Sequence, residues 1–206
     1  MIIEKIVFLN KNKKYAIFFS NGTSVEVVED TLVKFNLYKG MEIEDDEISN
    51  IRKQNQKFEA ANSVFRYIQN KKTVREVKDY LSKKGYDEDI VELTSNYLIE
   101  KGYIDDKKYA SAFVHDKLKI NKYGRNKIKN HLLMHGIDKD LAEIAVLDLD
   151  EDIEFENLKL HAQKKFNTLK KDHNTKSKLI NHLIYKGYQY DMIKEILKEF
   201  DFKYDR

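Results

Sequence analysis

The sequence predicts a mostly α protein, in which three tandem three-helix repeats form an elongated, curved array behind a small N-terminal segment that contains a β-hairpin. Motifs around a glycine recur at a constant offset of 51 residues. Proline is absent from all 206 residues, which suits uninterrupted helices. The predicted boundaries are 1–50 for the N-terminal segment and 51–101, 102–150 and 151–206 for the three repeats.

The N-terminal segment has the composition of a small sheet. Residues 2–9, 15–20 and 23–28 are rich in β-branched and aromatic side chains, which favour strands. Asn21-Gly22 stands between the second and third of these stretches, and this dipeptide is a strong signal for a two-residue hairpin turn. Residues 30–39 then predict a short helix that ends at Gly40.

The repeat is visible in one glycine column and four apolar columns. Gly85, Gly136 and Gly187 are 51 residues apart, and we expect each to adopt the left-handed conformation that ends a helix. Asp87 and Asp138 follow as N-cap candidates for the next helix, whereas Gln189 is a poorer cap. The apolar columns are Val77, Ile128 and Leu179; Leu81, Leu132 and Leu183; Ile90, Leu141 and Met192; and Leu98, Leu149 and Phe200.

Apolar spacing divides the middle repeat into three helices, each with one face predicted to be buried. Because a unit of about 50 residues is marginal alone, we expect neighbouring repeats to stack. The three predicted faces are Tyr109, Ala112, Phe113 and Ile120 on the first helix, Ile128 and Leu132 on the second, and Leu141, Ile144 and Leu149 on the third.

Composition excludes several classes of function. Cysteine is absent, so disulfides, cysteine zinc sites and thiol catalysis are ruled out. Purely apolar runs reach four residues, far short of the ~18 that span a membrane. No glycine-rich phosphate loop is present. The expectation is a cytoplasmic monomer that is not an enzyme and uses no cofactor, metal or membrane.

Two histidines pose the question of a metal site. His131 and His135 are four residues apart on a predicted helix, which is a spacing that zinc sites use. Residue 132 is Leu where the zinc-protease motif has Glu, and His131 falls in a repeat column with Tyr80 and His182. That column favours a packing role for an amphipathic ring over metal binding.

The densest basic segment lies in the middle repeat and contains the candidate contacts to a partner or to DNA. Residues 1–51 carry a net charge of −3 and residues 52–206 carry +6. Arg125 and Lys129 share a helix face, and Tyr123 beside them could stack on a base or serve packing. Since lysines are abundant throughout, the alternative is an ordinary solvated face. The candidates are Lys117, Lys119, Lys122, Arg125, Lys127 and Lys129.

The start of the middle repeat resembles the signature of the RecX family, and the resemblance covers about residues 52–206. Asp105 and Asp106 begin a helix there, so an N-cap role is favoured over catalytic carboxylates. The segment continues with Lys122-Tyr123-Gly124 at the spacing that the family uses. The matching residues are Gly102, Tyr103, Ile104, Asp105, Asp106, Tyr109, Ala110, Phe113 and Val114.

The resemblance implies a regulator of the RecA recombinase. Proteins of the family are associated with the groove of the RecA filament on single-stranded DNA, where they damp ATP hydrolysis, strand exchange and LexA cleavage. Those roles belong to homologous recombination, DNA repair and the SOS response, with weak DNA contact possible. Two alternatives stay open: a direct nucleic-acid binder built from helix-turn-helix-like units, and a helical scaffold for another protein.

Overall fold

The computed structural model describes residues 1–170 and 172–202, and in these ranges it contains three strands and ten α-helices. The chain divides into two compact units, Met1–Ile104 and Asp105–Arg206, which we name the N-terminal unit and the C-terminal unit. No helix in the described ranges is long and apolar enough to cross a membrane. The predicted combination of a mostly α chain with a small N-terminal sheet is confirmed.

The N-terminal unit begins with an antiparallel sheet in the order β1 (Ile3–Leu9), β2 (Lys14–Phe19) and β3 (Ser24–Val27). Strands β2 and β3 form the predicted hairpin, with Gly22 at φ 81° in the turn. One face of the sheet contributes to a core that also includes residues of the following helices. This core consists of Ile3, Ile17, Phe19, Val27, Leu37, Ile43, Ile48 and Ile51.

Helix α1 (Glu29–Lys34) is shorter than the predicted 30–39, so that prediction is wrong at its C-terminal end. Asn36 takes a left-handed conformation with φ 46°, which no helix continues through. The reversal turns Leu37 into the sheet core, where it is buried. Burial of this leucine therefore decides where the helix ends.

Helix α2 (Asp45–Val64) belongs to two cores at once. Ile48 and Ile51 pack under the sheet. The other half of α2 packs with α3 (Val74–Lys83) and α4 (Glu88–Glu100), and its buried Val64 contacts the first three-helix core. The predicted boundary at residue 50 lies within this helix.

The C-terminal unit contains two three-helix groups. Helices α5 (Asp106–Lys119), α6 (Arg125–Met134) and α7 (Lys139–Leu147) surround one core. Helices α8 (Glu151–Thr168), α9 (Thr175–Lys186) and α10 (Tyr190–Leu197) surround the other.

The central columns of the repeat are confirmed by burial. Ile128 and Leu132 have no exposed surface, and the same holds for their counterparts Val77 and Leu81 and Leu179 and Leu183. The three repeat glycines have φ values of 88°, 82° and 96°, as the helix-ending role requires.

The predicted caps differ among the repeats. Asp138 caps α7, accepting hydrogen bonds from the backbone N–H groups of Asp140 at 2.9 Å and Leu141 at 3.4 Å. Asp87 occupies the N-cap position of α4 without a side-chain capping bond, and so does Gln189 at α10.

Two apolar residues of the middle repeat are not where their spacing predicted. Ile120 is 74% exposed and Ile144 is 56% exposed, so their assignment to buried faces is wrong. The buried stripe of α5 is Ala110, Val114 and Leu118. Small alanines let helices approach closely, and the sequence pattern gave these less weight than the larger side chains.

Candidate partner-binding surface

The basic segment between α5 and α6 is held by the third repeat. The Nδ2 of Asn157 donates a hydrogen bond to the carbonyl oxygen of Leu118 at 2.9 Å. The hydroxyl of Tyr188 donates to the carbonyl oxygen of Lys122 at 2.7 Å, and the Nε2 of His161 lies 3.1 Å from the same oxygen. Burial raises the pKa of Tyr188, so its hydroxyl stays protonated and remains a donor. These contacts fix Lys122, whose φ is 54°.

The N-terminus of α6 meets the C-terminus of α9 backbone to backbone. The N–H of Gly124 donates to the carbonyl oxygen of Lys186 at 3.0 Å, and the N–H of Asn126 donates to that of Gly187 at 3.0 Å. Free N–H groups at one helix start are thus satisfied by free carbonyls at another helix end. A Cβ on Gly124 would lie 2.5 Å from the carbonyl carbon of Gly187, which explains glycine at both positions.

Arg125 is a structural residue of this junction. Its side chain is 13% exposed, and the Nε donates to Oε2 of Glu154 at 2.8 Å. Glu154 is fully buried and also accepts the backbone N–H of Arg125 at 2.7 Å. Glu151 adds a second carboxylate, 3.1 Å from the guanidinium. Reversing the charge of Arg125 would therefore unsettle the fold, because this candidate contact is committed to an internal ion pair.

Lys127 extends across aromatic rings contributed by both repeats. Its Nζ lies 4.5 Å from the ring centroid of Tyr123 and 4.1 Å from that of Tyr185, within the range of a cation–π contact. Lys186 brings a second ammonium group to 5.8 Å from Tyr123. We name Tyr123, Lys127, Tyr185 and Lys186 the basic–aromatic cluster. Tyr185 is 72% exposed, so the cluster offers an open ring next to the ammonium group of Lys127.

The remaining candidates lie in different surroundings. Lys117 is 5.0 Å from the ring of Phe113, and Lys129 is 3.5 Å from a carboxylate oxygen of Glu143. Lys119 is exposed at the end of α5. Tertiary contacts thus bring Lys127 together with Tyr185 and Lys186, which sequence reasoning missed because they belong to the next repeat.

His131 packs beside the cluster, as its repeat column predicted. Its ring centroid lies 5.7 Å from that of Tyr123 and 6.5 Å from that of Phe113. Burial lowers the pKa of His131, and the charges of Lys127 and Lys117 lower it further. Within the ranges that the structure describes, no group of three or more His, Cys, Asp or Glu side chains could hold a metal ion.

The signature residues serve mainly to build the fold. Ala110 and Val114 are buried in the core of the middle repeat. Asp105 is the N-cap of α5 and accepts a hydrogen bond from the N–H of Lys108 at 2.9 Å, which lowers the pKa of its carboxyl. Tyr103 is half exposed and packs edge-on against Phe65, with centroids 4.9 Å apart. The predicted N-cap role of Asp105 is confirmed.

Known proteins resemble this chain over nearly its whole length. A family model described as "RecX, second three-helix domain" matches residues 105–146, and one for the third three-helix domain matches 151–197. The regulatory protein RecX of Clostridioides difficile (strain 630) is 31% identical over 202 residues, which cover 96% of this chain and 95% of that protein. The chain belongs to the RecX family.

Other relatives agree with this membership. The regulatory protein RecX of Clostridium botulinum (strain Eklund 17B / Type B) is 42% identical over 134 residues, which are 63% of this chain and 62% of that protein. A crystal structure of regulatory protein RecX matches with a TM-score of 0.82 at 24% identity, over 96% of this chain and 98% of the other. RecX from Lactobacillus salivarius matches with a TM-score of 0.66 at 29% identity, over 71% of this chain and 97% of that one.

Proposed function

We propose that this chain binds the RecA filament on single-stranded DNA and inhibits the recombinase, ATPase and coprotease activities of RecA. Its membership of a family of regulatory proteins supports a regulatory role. In this proposal the protein acts in the cytoplasm by binding alone and carries out no chemistry of its own. One bound molecule that blocks a filament groove or end would affect many RecA subunits.

The observation that carries the proposal is the basic–aromatic cluster. Lys127 and Lys186 are held beside Tyr123 by the junction of the second and third repeats, so their charges are pre-organised. Such an arrangement favours binding because little side-chain freedom is lost when a partner docks. An anionic surface, either DNA phosphate or the acidic side chains of a filament, is the complementary partner.

The test is the DNA-dependent ATPase of RecA. Substoichiometric amounts of the parent protein are expected to lower it. A variant carrying Lys127→Gln, Tyr185→Ala and Lys186→Gln should need a higher concentration for the same inhibition. The matched control carries Lys139→Gln and Lys198→Gln, at two exposed lysines outside the cluster, and should behave like the parent.

Two outcomes would contradict the proposal. An unchanged ATPase at equimolar parent protein and RecA would exclude inhibition of the filament. Equal inhibition by the cluster variant and the parent would exclude the cluster as the contact surface. Circular dichroism melts of all three proteins distinguish a loss of binding from a loss of folded structure.

Direct nucleic-acid binding is the second candidate, and the exposed ring of Tyr185 beside the ammonium group of Lys127 favours it. Aromatic rings beside cations stack on unpaired bases. Binding measured on naked single-stranded DNA and on RecA filaments over a salt series separates the two functions. Removing two phosphate contacts should flatten the log–log salt slope on DNA by roughly two. Binding that persists on filaments alone supports RecA as the partner.

A further inference from the structure

A second site lies in the N-terminal unit, remote in sequence from the basic–aromatic cluster. Helices α1, α2 and α4 line an open cleft of about 630 Å³. Lys57 lines this cleft although only 5% of its surface is exposed. Its Nζ lies 3.8 Å from the ring centroid of Phe58 and 4.4 Å from that of Tyr97. The ammonium group is therefore held between two aromatic rings at the cleft wall.

No carboxylate pairs directly with this buried charge. Among residues 1–170 and 172–202, no Asp or Glu oxygen lies within the 4.0 Å of Lys57 Nζ that defines an ion pair. A second cation, Lys34, approaches the same Phe58 ring at 5.9 Å and donates to Oε1 of Gln54 at 2.6 Å. Burial lowers the pKa of Lys57 to about 8, and the charge of Lys34 contributes to this shift. Glu100 and Asp30 oppose this shift in part, but neither pairs directly with Lys57.

The burial of Lys57 is specific to this place in the fold. Lys108 and Lys159 follow it at the offset of 51 residues that relates the repeats. Their side chains are 83% and 50% exposed, and each pairs with a carboxylate, of Asp105 and Glu199 respectively. A lysine at this sequence position is therefore ordinary, whereas its enclosure without an acidic partner belongs to the first repeat.

We propose that this cleft is a receptor for a single carboxylate side chain of a partner protein, bound between the ammonium groups of Lys34 and Lys57. A carboxylate there would supply the direct ion-pair partner that Lys57 lacks, and charge-assisted hydrogen bonds are stronger than neutral ones. The acidic side chains of Glu29, Asp30 and Glu100 also line the cleft. Their charge repels a nucleic acid or another polyanion more strongly than a ligand with one negative charge, so the proposal is restricted to a single carboxylate.

The experiment follows the lysine side chains of the full-length protein by NMR, with selective carbon-13 labelling. The probe is an acetylated and amidated Gly-Glu-Gly peptide, and the comparison peptide is Gly-Gln-Gly. Saturable shifts of the Lys57 signal, and a rise of its pKa from about 8 toward the ordinary value, are expected with the glutamate peptide alone. Inorganic phosphate as a third ligand is expected to bind more weakly.

Substitutions of the lysines test whether the NMR shifts arise from binding in this cleft. Lys57→Met should abolish binding of the glutamate peptide, and Lys34→Met should weaken it at least several-fold. Lys34→Met serves as the decisive variant if Lys57→Met fails to fold. Lys159→Met, at the equivalent position of the third repeat, should bind like the parent.

The proposal is overturned by any of three results. Equal shifts with the glutamate and glutamine peptides would show that the carboxylate is not recognised. Preferential binding of phosphate would assign the cleft to a different anion. Unchanged binding after Lys34→Met would show that the two lysines do not act together. Because this test contains neither RecA nor DNA, its outcome is independent of the proposed inhibition of the filament.

Discussion

Two buried cations, one in each unit, show different solutions to the same physical problem. Arg125 in the C-terminal unit is enclosed together with the carboxylate of Glu154, and the pair joins two repeats. Lys57 in the N-terminal unit is enclosed by the rings of Phe58 and Tyr97 without a carboxylate. A charge taken out of water requires compensation. Arg125 has its compensation within the fold and is structural, whereas Lys57 has no directly paired carboxylate among the described residues.

The largest expected effect comes from removing the counter-charge of Arg125. Glu154→Ala leaves a guanidinium and the N–H of residue 125 without their buried acceptor, so the C-terminal unit should lose about 3–5 kcal/mol of unfolding free energy. Urea denaturation measures it. The control is Glu151→Gln, since that carboxylate is 77% exposed and should contribute less than about 1 kcal/mol. Equal midpoints for the two variants would refute the structural role of the buried pair.

The next effect tests the close backbone contact between Gly124 and Gly187, which accompanies the Arg125–Glu154 pair. In Gly187→Ala the new Cβ would collide with the Cβ and backbone nitrogen of Lys127, and the residue would also keep its φ of 96°. We expect a loss of about 2–4 kcal/mol from overpacking and backbone strain together.

Gly85→Ala is the matched control for the collision. It carries the same kind of strain at φ 88° but meets no atom within 4 Å, so it should cost about 1–2 kcal/mol. Thermal melts of the two variants measure the difference. A loss from Gly85→Ala as large as that from Gly187→Ala would mean that strain alone, and not the contact of the repeats, sets the cost.

A smaller expected effect is the pH dependence of the unfolding free energy that the unpaired Lys57 causes. The folded-state pKa of Lys57 is lowered to about 8, so between pH 8 and about 10.4 the unfolded chain binds more protons than the folded one. The unfolding free energy of the N-terminal unit should therefore rise with pH over this window, by about 1–2 kcal/mol because the cleft is open to water. Denaturation at several pH values should show the rise in the parent and in Lys159→Met, and its loss in Lys57→Met.

The smallest effect concerns histidines, which the N-terminal unit lacks, since all six lie after residue 104. Burial, followed by nearby lysine charges, lowers the pKa of His131, His161 and His182 below 6.5. The unfolded chain then binds more protons below that pH, so the C-terminal unit should be fully stable above pH 6.5 and lose stability as the pH falls. His161→Gln should weaken this dependence. A parent protein whose C-terminal unit is equally stable at pH 7 and pH 5 would contradict it.

Much of the fold was predictable because it depends on short-range patterns. The hairpin follows from Asn21-Gly22 between strand-forming stretches, and the repeat follows from glycines that end helices in the left-handed conformation. The two misplaced isoleucines have a common cause. Ile120 and Ile144 were assigned to buried faces by size and spacing, yet the close packing of helices selects the small Ala110 and Ala142 for the core.

The candidate surface was predictable only in part. The basic segment was found from its composition, but its side chains have different neighbours in the structure. Arg125 pairs with a glutamate 29 residues away, and Lys127 joins Tyr185 and Lys186 of the following repeat. A signal for Lys186 was present in the repeat column of residues before the glycine, which contains Lys84, His135 and Lys186.

The sequence by itself determined the helical repeat, the buried columns such as Val77, Ile128 and Leu179, and the turns at the repeat glycines. These features follow from local conformational preference and from the period of apolar residues, which both act within one or two turns of chain. Only the tertiary structure decided which cation is paired, which is enclosed and which meets solvent. Lys57, Lys108 and Lys159 occupy the same column with the same chemistry, but solvation depends on what the fold places around each side chain.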